Sequence, residues 1–464
     1  MSRMKSYKIC KPSLLMLPVV LLLLFFMPNP LPAQETSPGV SITEESQPEE
    51  DKSLNLKEEE AGVDSSDDLD GQKNWYGKFS DRFLMIADFN GFFTRSDMNG
   101  AESLPGGSVS GNISPTYRFN DETFFVLMYN GNYNKRREFY SDDIGPRERS
   151  EYQGHTITPM LRMDFGERSR YTITPSFFYT RTYNKDTTES GWSEGLYNYR
   201  DTGEGLDFKM KGMGFGGADG ALELGAQYYK RRYPNYESLL DLATGLGTEK
   251  DEKDYHGVIV KAGYDWITDF GFSWSANYSL LYKMLDDKKV VDEDGVLTDD
   301  EQHDYLHTLD ADLRYFFFWG LRVGLGLRGG LNTSSQNYYD GMDTLTLADD
   351  VFLPEFYDYY LYRLEPKIFY TFTLFPLTPS LSYAYQRMDY SDRKAKFRDG
   401  IYKDEDQWET QKEINFRLRY DITRSWSLLA WWQHIAARSN NDDDRVYRYD
   451  YTINNYSIGV SFRY

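Results

Sequence analysis

Histidine is the side chain best suited to acid–base catalysis or metal binding near neutral pH, and the chain has 5 histidines. Four of them alternate with apolar residues in extended segments that are not neighbours along the chain; they are His155, His256, His307 and His434. A catalytic triad or a metal cage requires side chains that converge on one point. The spacing therefore predicts no catalytic site, no enzyme and no cofactor, with these histidines on an apolar outer surface.

One acidic loop has the spacing of a calcium site. Within 290–301, the residues Asp292, Asp294 and Glu301 match the third, fifth and twelfth positions of the calcium loop found between two helices. The first position requires a carboxylate but is Val290, and the flanking residues predict strands. A solvated acidic loop is the favoured interpretation, and calcium binding is the alternative.

The amino-terminal residues predict export. Residues 1–33 combine a basic start, an apolar run from Leu14 to Met27 and a small-residue cleavage context that ends at Ala33, as secretory signal peptides do. The only cysteine, Cys10, precedes the apolar run, so the chain left after cleavage has no thiol. This excludes disulfides, thiolate metal sites and cysteine nucleophiles from the mature protein.

Residues 34–80 form a second region of different composition. Glu, Asp and Ser dominate positions 41–71, which have too few apolar side chains to offset the entropy lost on folding. We predict an acidic, disordered periplasmic segment, or alternatively a partly ordered plug inside the domain that follows. The net charge of −21 argues against a nucleic-acid partner, because phosphates need a basic footprint.

From residue 81 to residue 464, segments of about 12–17 residues alternate apolar with polar side chains. The clearest segment is 408–422, whose apolar face consists of Ile414, Phe416, Leu418, Tyr420 and Ile422. Such segments are typical of strands with one apolar and one polar face. The polar faces are too highly charged for a dry core, so we expect them to face water.

Short and long polar links separate these segments in strict alternation. Short links are predicted at 120–122, 166–169, 217–219, 267–269, 318–319, 374–376 and 423–425, and long links near 97–107, 139–150, 187–201, 235–252, 286–303, 337–358, 391–406 and 439–446. This order predicts about sixteen antiparallel strands. Since 39 Tyr, 29 Phe and 9 Trp are available for interfacial girdles, we predict an all-β fold, a transmembrane up-and-down β-barrel over residues 81–464.

The last segment carries a family resemblance. Its aromatic and apolar residues Tyr456, Ile458, Val460, Phe462 and Tyr464 alternate with small or polar ones up to an aromatic carboxyl terminus. This resembles the C-terminal assembly signal of bacterial outer-membrane β-barrel proteins. The resemblance implies a general-porin-like architecture, location in the bacterial outer membrane and the insertion machinery as a partner. It leaves a homo-oligomer open and indicates no narrower family.

Basic residues recur where strands approach the long links. They are Lys135, Arg136 and Arg137 after Tyr133, and Lys230, Arg231 and Arg232 after Tyr228. An interfacial tyrosine with a cation one layer higher predicts contact with outer-membrane lipid and pairing with lipopolysaccharide phosphates. The alternative is a snorkelling cation that needs no specific ligand. Residues of the opposite parity would line a channel mouth.

Ten charged residues are predicted to line a lumen because they alternate with outward apolar residues. They are Arg162, Asp164, Lys209, Lys211, Arg322, Arg328, Glu365, Lys367, Arg417 and Arg419. Barrels of about 16–18 strands enclose an aqueous channel, so passive diffusion of small polar solutes or ions is the favoured function. An export or surface-assembly barrel, or a structural scaffold, is the alternative. The apolar link 337–358 is predicted to fold into the mouth or against neighbouring loops.

Overall fold

The computed structural model describes residues 82–99, 101–102, 105–135, 151–185, 191–214, 219–236, 252–268, 270–341, 350–372, 374–443 and 449–464. The predicted signal peptide, the acidic segment 34–80 and the rim residues Arg136 and Arg137 lie outside the described residues. No helix within these ranges is long and apolar enough to span a bilayer.

Sixteen long strands make up the described fold. They are β1 (Phe83–Met98), β2 (Gly106–Arg118), β3 (Thr123–Lys135), β4 (Glu151–Phe165), β5 (Tyr171–Lys185), β6 (Tyr199–Lys211), β7 (Asp219–Arg232), β8 (Tyr255–Ile267), β9 (Phe272–Val291), β10 (Leu297–Phe316), β11 (Leu321–Ser334), β12 (Tyr359–Tyr370), β13 (Leu377–Lys396), β14 (Tyr402–Asp421), β15 (Trp426–Ser439) and β16 (Tyr451–Arg463). Shorter strands lie between them at Ala101–Glu102, Tyr338–Asp340 and Val351–Leu353.

The sixteen strands form a closed antiparallel barrel. Each pairs with its neighbours along the chain, and β16 pairs back onto β1 in one continuous register. Tyr464 takes part in the closure, because its amide donates to the Ala87 carbonyl at 2.8 Å and its carbonyl accepts from the Ala87 amide at 3.0 Å. Closure pairs the edges that would otherwise be open, as a barrel in lipid requires. The predicted sixteen-strand up-and-down barrel is confirmed.

The strand register separates an outward from an inward surface, since directly paired residues project from the same face. Outward apolar side chains are highly exposed in the chain by itself; Ile458 is 70% exposed and Leu309 is 53% exposed. The inward surface carries hydroxyl, amide and charged groups. Glu204 is an exposed carboxylate within the outward apolar rows, where it lies between Phe177 and Tyr228.

The two ends of the barrel differ in their connections. Short turns join the strands at one end, called here the turn end, and the long links lie at the opposite loop end. The predictions of long loops at 286–303 and 391–406 are wrong. Strands β9–β10 and β13–β14 continue as paired hairpins through most of those ranges. Beyond the apolar band neither face needs apolar residues, so the period-two signal of a strand is lost there.

Each extended hairpin changes register where it leaves the barrel wall. The first shift in β9 falls between Met284 and Lys289, and the first shift in β13 falls between Asp389 and Lys394. Such irregularities bend a strand and change its twist. They allow the two hairpins to leave the curvature of the barrel.

Candidate functional site

Part of the inward surface carries uncharged polar groups. Towards the loop end of β1–β5, the described inward side chains are mainly Ser, Thr and Asn; they include Asn90, Thr94, Ser108, Ser110, Asn112, Asn130, Asn132, Thr156, Thr158, Ser176 and Thr180. Their hydroxyls bond to one another, as between Thr156 and Thr180 at 2.9 Å. We call this surface the neutral sector. It offers both donors and acceptors to a solute without a local net charge.

Charged side chains dominate the inward surface of β10–β14, which is called here the charged sector. Arg363 donates to Glu365 and to Glu413, both at 3.2 Å. Glu413 also accepts from the Asn415 amide at 2.7 Å and from Gln433 at 2.5 Å. Glu413 is 8% exposed, so its charge is matched by several donors rather than by solvent alone.

A second group in the charged sector is centred on two aspartates. Asp312 bonds Arg314 at 2.5 Å and Lys367 at 3.5 Å, and Asp310 bonds Arg328 at 2.6 Å. Cations and anions are about equally numerous on the inward faces of the described strands. The acidity of the whole chain therefore comes from other parts of the sequence.

The register places all ten predicted lumen residues on the inward face. They are Arg162, Asp164, Lys209, Lys211, Arg322, Arg328, Glu365, Lys367, Arg417 and Arg419. Arg162 pairs with Asp164 at 3.0 Å, and Lys209 pairs with Glu223 at 2.5 Å. Sequence reasoning missed the partners Asp310, Asp312 and Glu413. Alternation puts them on the correct face, but only the cross-strand register shows which cation each one meets.

A cluster of buried tyrosines lies at the loop end of β7 and β8. Its members are Tyr229, Tyr233, Tyr236 and Tyr255, which are between 5% and 7% exposed. These four tyrosines are called here the mouth cluster. Leu196 and Tyr197, from the link between β5 and β6, pack against it. The Asn235 amide donates to the Ser193 carbonyl at 2.6 Å. The links that follow β5 and β7 are thus packed together at one side of the loop end.

Arg231 corrects the prediction that grouped it with the lipopolysaccharide-facing cations. Its guanidinium donates to both carboxylate oxygens of Asp201, at 2.8 and 3.0 Å, and lies 3.9 Å from the ring centroid of Tyr199. The register pairs Arg231 with Asp201 and Tyr255 on the inward face. The reason is parity, since consecutive residues of a strand point to opposite faces. Arg231 therefore supports the mouth cluster.

His155, His256, His307 and His434 lie in outward rows, as alternation predicts. The first three, and also His303, form hydrogen bonds through Nδ1 to tyrosine hydroxyls on adjacent strands. The pairs are Tyr129–His155 at 2.8 Å, Tyr228–His256 at 2.5 Å, Tyr278–His307 at 2.8 Å and Tyr282–His303 at 3.1 Å. His434 bonds Asn454 at 2.9 Å. Within the described ranges, no three His, Cys, Asp or Glu side chains are grouped to hold a metal ion.

The segment 290–301, for which calcium binding was the alternative prediction, forms the tip of the β9–β10 hairpin. One carboxylate oxygen of Asp292 accepts the backbone amides of Asp294 at 3.0 Å and Val296 at 2.8 Å. Gly295 has a φ of +73°, which the turn requires and glycine adopts freely. Glu301 lies across the hairpin and pairs with Lys289 at 3.5 Å. Asp292 thus stabilises the turn, and Glu301 pairs across the ladder.

The apolar link 337–358 was predicted to fold into the mouth or against neighbouring loops. Its described part packs against neighbouring loops. Tyr338 stacks on Phe356 with ring centroids 4.5 Å apart, and both Leu353 and Phe356 are buried. The Gln336 side chain accepts from the Val291 amide at 3.0 Å, which attaches the link to the β9–β10 hairpin.

On its other side the same link contacts the β13–β14 hairpin. Asp340 accepts from Lys396 at 3.1 Å and from the Tyr402 hydroxyl at 2.5 Å. Arg393 lies 4.6 Å from the ring centroid of Phe356. The link and the two hairpins together form one packed assembly, called here the loop-end assembly.

Replacing Tyr402 by Phe should loosen the loop-end assembly and leave the barrel folded. Burial and the hydrogen bond to Asp340 raise the pKa of Tyr402 far above its ordinary value. A raised folded-state pKa stabilises the fold below the ordinary tyrosine pKa, about 10, and this contribution is lost only as pH rises through the higher folded value. We expect amide exchange in 336–341 to accelerate about 5- to 30-fold, for a loss of about 1–2 kcal/mol.

The matched control is Tyr420→Phe, because the described residues give the Tyr420 hydroxyl no hydrogen-bond partner. The ratio of exchange rates between the Tyr402→Phe variant and the wild type should be the same at pH 7 and pH 9. Equal exchange in the Tyr402 and Tyr420 variants would contradict the assigned role of the hydroxyl.

Comparison with known proteins finds similarity among solved structures alone. No family model matches the sequence, and no curated protein matches it. Solved structures with a similar fold include OmpT of Vibrio cholerae, with 10% identity, coverage of 82% of this chain and 97% of that chain, and a TM-score of 0.43. OmpF of Salmonella typhi has 13% identity, coverage of 82% and 97%, and a TM-score of 0.38. A bacterial polysaccharide outer membrane secretin has 8% identity, coverage of 82% and 98%, and a TM-score of 0.40.

These solved structures are bacterial outer-membrane β-barrels, and this chain shares with them a closed antiparallel β-barrel. At these identities the likeness concerns the fold alone and indicates no narrower family.

The predicted rim cations of the barrel have different partners. Lys135 pairs with Glu151 at 2.8 Å, and Lys230 pairs with Asp286 at 2.7 Å. Arg232 projects outward at the loop end and is exposed. The described rim thus contains both acid-paired cations and exposed arginines.

Proposed function

We propose that the protein is a passive diffusion channel for small polar solutes and ions, and that it has no catalytic activity. The observation that carries the proposal is the inward surface, which combines the neutral sector with the self-compensated charged sector. A sixteen-strand barrel is wide enough for an aqueous channel. A dry interior would impose a large desolvation cost on these side chains, so the lining favours water.

The lining also supports a substrate class. Because Arg363, Lys367 and Arg328 each have an acidic partner on the same wall, neither sign of ion meets a strong net field. The neutral sector supplies hydrogen-bond donors and acceptors to uncharged solutes. We therefore propose weak ion selectivity and passage of hydroxyl-rich or zwitterionic molecules.

The proposal includes the cellular route. The leader would be cleaved after Ala33, and the insertion machinery would recognise the strand that ends at Tyr464. The long links would face the outside of the cell and the short turns the periplasm, which is the usual orientation of bacterial barrels.

Recording of single channels in planar bilayers tests the proposal. The full mature chain should give stable ohmic steps on the order of a nanosiemens, the scale we assign to an open sixteen-strand lumen. In a salt gradient the wild-type reversal potential should be small. A correctly folded barrel that conducts no current would contradict the proposed channel.

A charge variant makes the test specific to the lining. In Asp310→Asn/Asp312→Asn the cations Arg314, Arg328 and Lys367 lose their aspartate partners, so the reversal potential should shift towards anion preference. The matched control is Asp450→Asn, which removes an acid from a rim pair with Arg438. An unchanged reversal potential in the double variant would exclude these residues from the ion path.

The loop-end assembly favours a second candidate, an export or surface-assembly barrel or a structural scaffold. Its packing of one link between two extended hairpins creates an ordered surface beyond the barrel wall. A scaffold of this kind would remain silent in bilayers, and Tyr402→Phe would then impair its assembly role without changing conductance.

A further inference from the structure

Three arginines stand side by side on the outward surface at the loop end. Arg181 of β5 is directly opposite Arg200 of β6, and Arg200 is directly opposite Arg232 of β7. All three side chains are exposed. We call these residues the arginine row. Directly opposite side chains have Cβ atoms about 4.5–5.5 Å apart, and like charges at that spacing repel each other.

Within the described ranges, no acid pairs with a member of the arginine row. Other outward cations at the loop end do have such partners, as Lys135 has Glu151 at 2.8 Å and Arg438 has Asp450 at 3.2 Å. The one described ring contact of Arg181 is with Tyr183, at 4.8 Å from the centroid. A concentrated positive charge of this kind is stabilised when an anion binds to it.

A groove lies beside the arginine row. It has a volume of 370 Å³ and is lined by Tyr179, Arg200, Thr202, Lys230 and Arg232. A second cavity of 230 Å³ shares Tyr179 and Arg200 with this groove and adds Arg181. Guanidinium, ammonium and hydroxyl groups surround the space, and planar guanidinium groups bind phosphate oxygens in a bidentate manner.

Apart from the exposed carboxylate of Glu204, which lies opposite Phe177, the outward surface on the turn-end side of the groove is apolar. Phe177 is 47% exposed, Leu206 is 53% exposed and Leu224 is 44% exposed. These residues lie on the same outward face as the arginine row, further from the loop end. A ligand that satisfies both surfaces has an anionic head and long apolar chains, which is the chemistry of a phosphorylated lipid.

We propose that the arginine row and its groove bind the phosphate groups of lipopolysaccharide, the phosphorylated glycolipid of the outer leaflet. Its acyl chains lie over Phe177, Leu206 and Leu224. The phosphates neutralise the three arginines at the height where the barrel leaves the apolar band. This site is separate from the lumen, so it does not depend on whether the barrel conducts solutes.

Binding of purified lipid A to the full mature chain in detergent, measured by native mass spectrometry, tests the site. The probes are bis-phosphorylated lipid A, the same lipid without its phosphates, and inorganic phosphate. The variant is Arg181→Gln/Arg200→Gln/Arg232→Gln, and the matched control is Arg438→Gln, an outward and exposed arginine that has an acidic partner.

We expect the triple variant to bind bis-phosphorylated lipid A at least about tenfold more weakly than the wild type, since each charge-assisted hydrogen bond lost is worth about tenfold or more. Arg438→Gln should bind as the wild type does. The wild type should bind the phosphate-free lipid as weakly as the triple variant binds the phosphorylated lipid. This comparison uses the wild-type protein, so it does not depend on whether the triple variant folds.

Two results would overturn the proposal. One is equal binding of phosphorylated lipid A by the triple variant and the wild type. The other is displacement of the lipid by inorganic phosphate at the same concentration, which would assign the row to a free anion. A further expected result is that the triple variant unfolds at higher denaturant than the wild type in phosphate-free detergent, because the repulsion is gone.

Discussion

Arginine at position 309 should destabilise the folded barrel in lipid vesicles by about 2–4 kcal/mol, the cost of a cation near the bilayer midplane. Leu309 projects outward, opposite Tyr278, and is 53% exposed in the chain by itself. In water such an exposed position would tolerate arginine. In lipid the guanidinium must be dehydrated or must pull water into the bilayer.

The control is the neighbouring residue. Thr308 projects inward between Ser279 and Gly330, where small neighbours leave room for a longer side chain. Thr308→Arg should change the free energy of unfolding by less than about 1 kcal/mol. Urea unfolding in vesicles, followed by tryptophan fluorescence, measures both variants. Equal effects of the two substitutions would show that the outward rows do not face lipid.

Replacing Arg231 by Met should cost about 3–5 kcal/mol, the usual cost of removing one partner from a buried ion pair. The side chains of Arg231 and Asp201 are 16% and 8% exposed, so the carboxylate would lose its bidentate partner in a place that water reaches poorly. The mouth cluster should loosen as well, because Arg231 lies over Tyr199 and Tyr255. Vesicle unfolding measures the loss of stability, and amide exchange in 191–198 measures the loosening.

Two further variants separate the ion pair from other effects. Arg231→Met/Asp201→Asn removes both charges and should recover part of the loss, which a double-mutant cycle quantifies. Arg438→Met makes the same change at an outward arginine whose pair with Asp450 is open to solvent, and it should cost less than about 1 kcal/mol. If Arg231→Met and Arg438→Met have equal effects, the buried pair is not a source of stability.

The alternation of side chains predicted the barrel because each strand has one apolar and one polar face. Within 408–422, Ile414, Phe416, Leu418 and Tyr420 all lie in outward rows, as their spacing predicts. The same reasoning failed for the hairpins at 286–303 and 391–406. Both faces of those strands meet water or protein loops, and the sequence there carries no contrast between the faces.

The candidate site shows a similar division. Alternation placed the ten lumen residues on one face, but it did not reveal that Arg363 joins Glu365 to Glu413 across three strands. Sequence reasoning also treated Lys230, Arg231 and Arg232 as one rim group. The structure separates Arg231 from the other two and brings Arg232 beside Arg181 and Arg200, which are distant from it in sequence.

Side-chain periodicity and the alternation of short and long links predicted about sixteen strands up to Tyr464, because the alternation of apolar and polar side chains is a local property of each strand. Which charges neutralise one another, and which stand together without a described counter-ion, was decided only by tertiary structure. The physical reason is that cross-strand neighbours depend on register, and register is set by closure of the whole barrel.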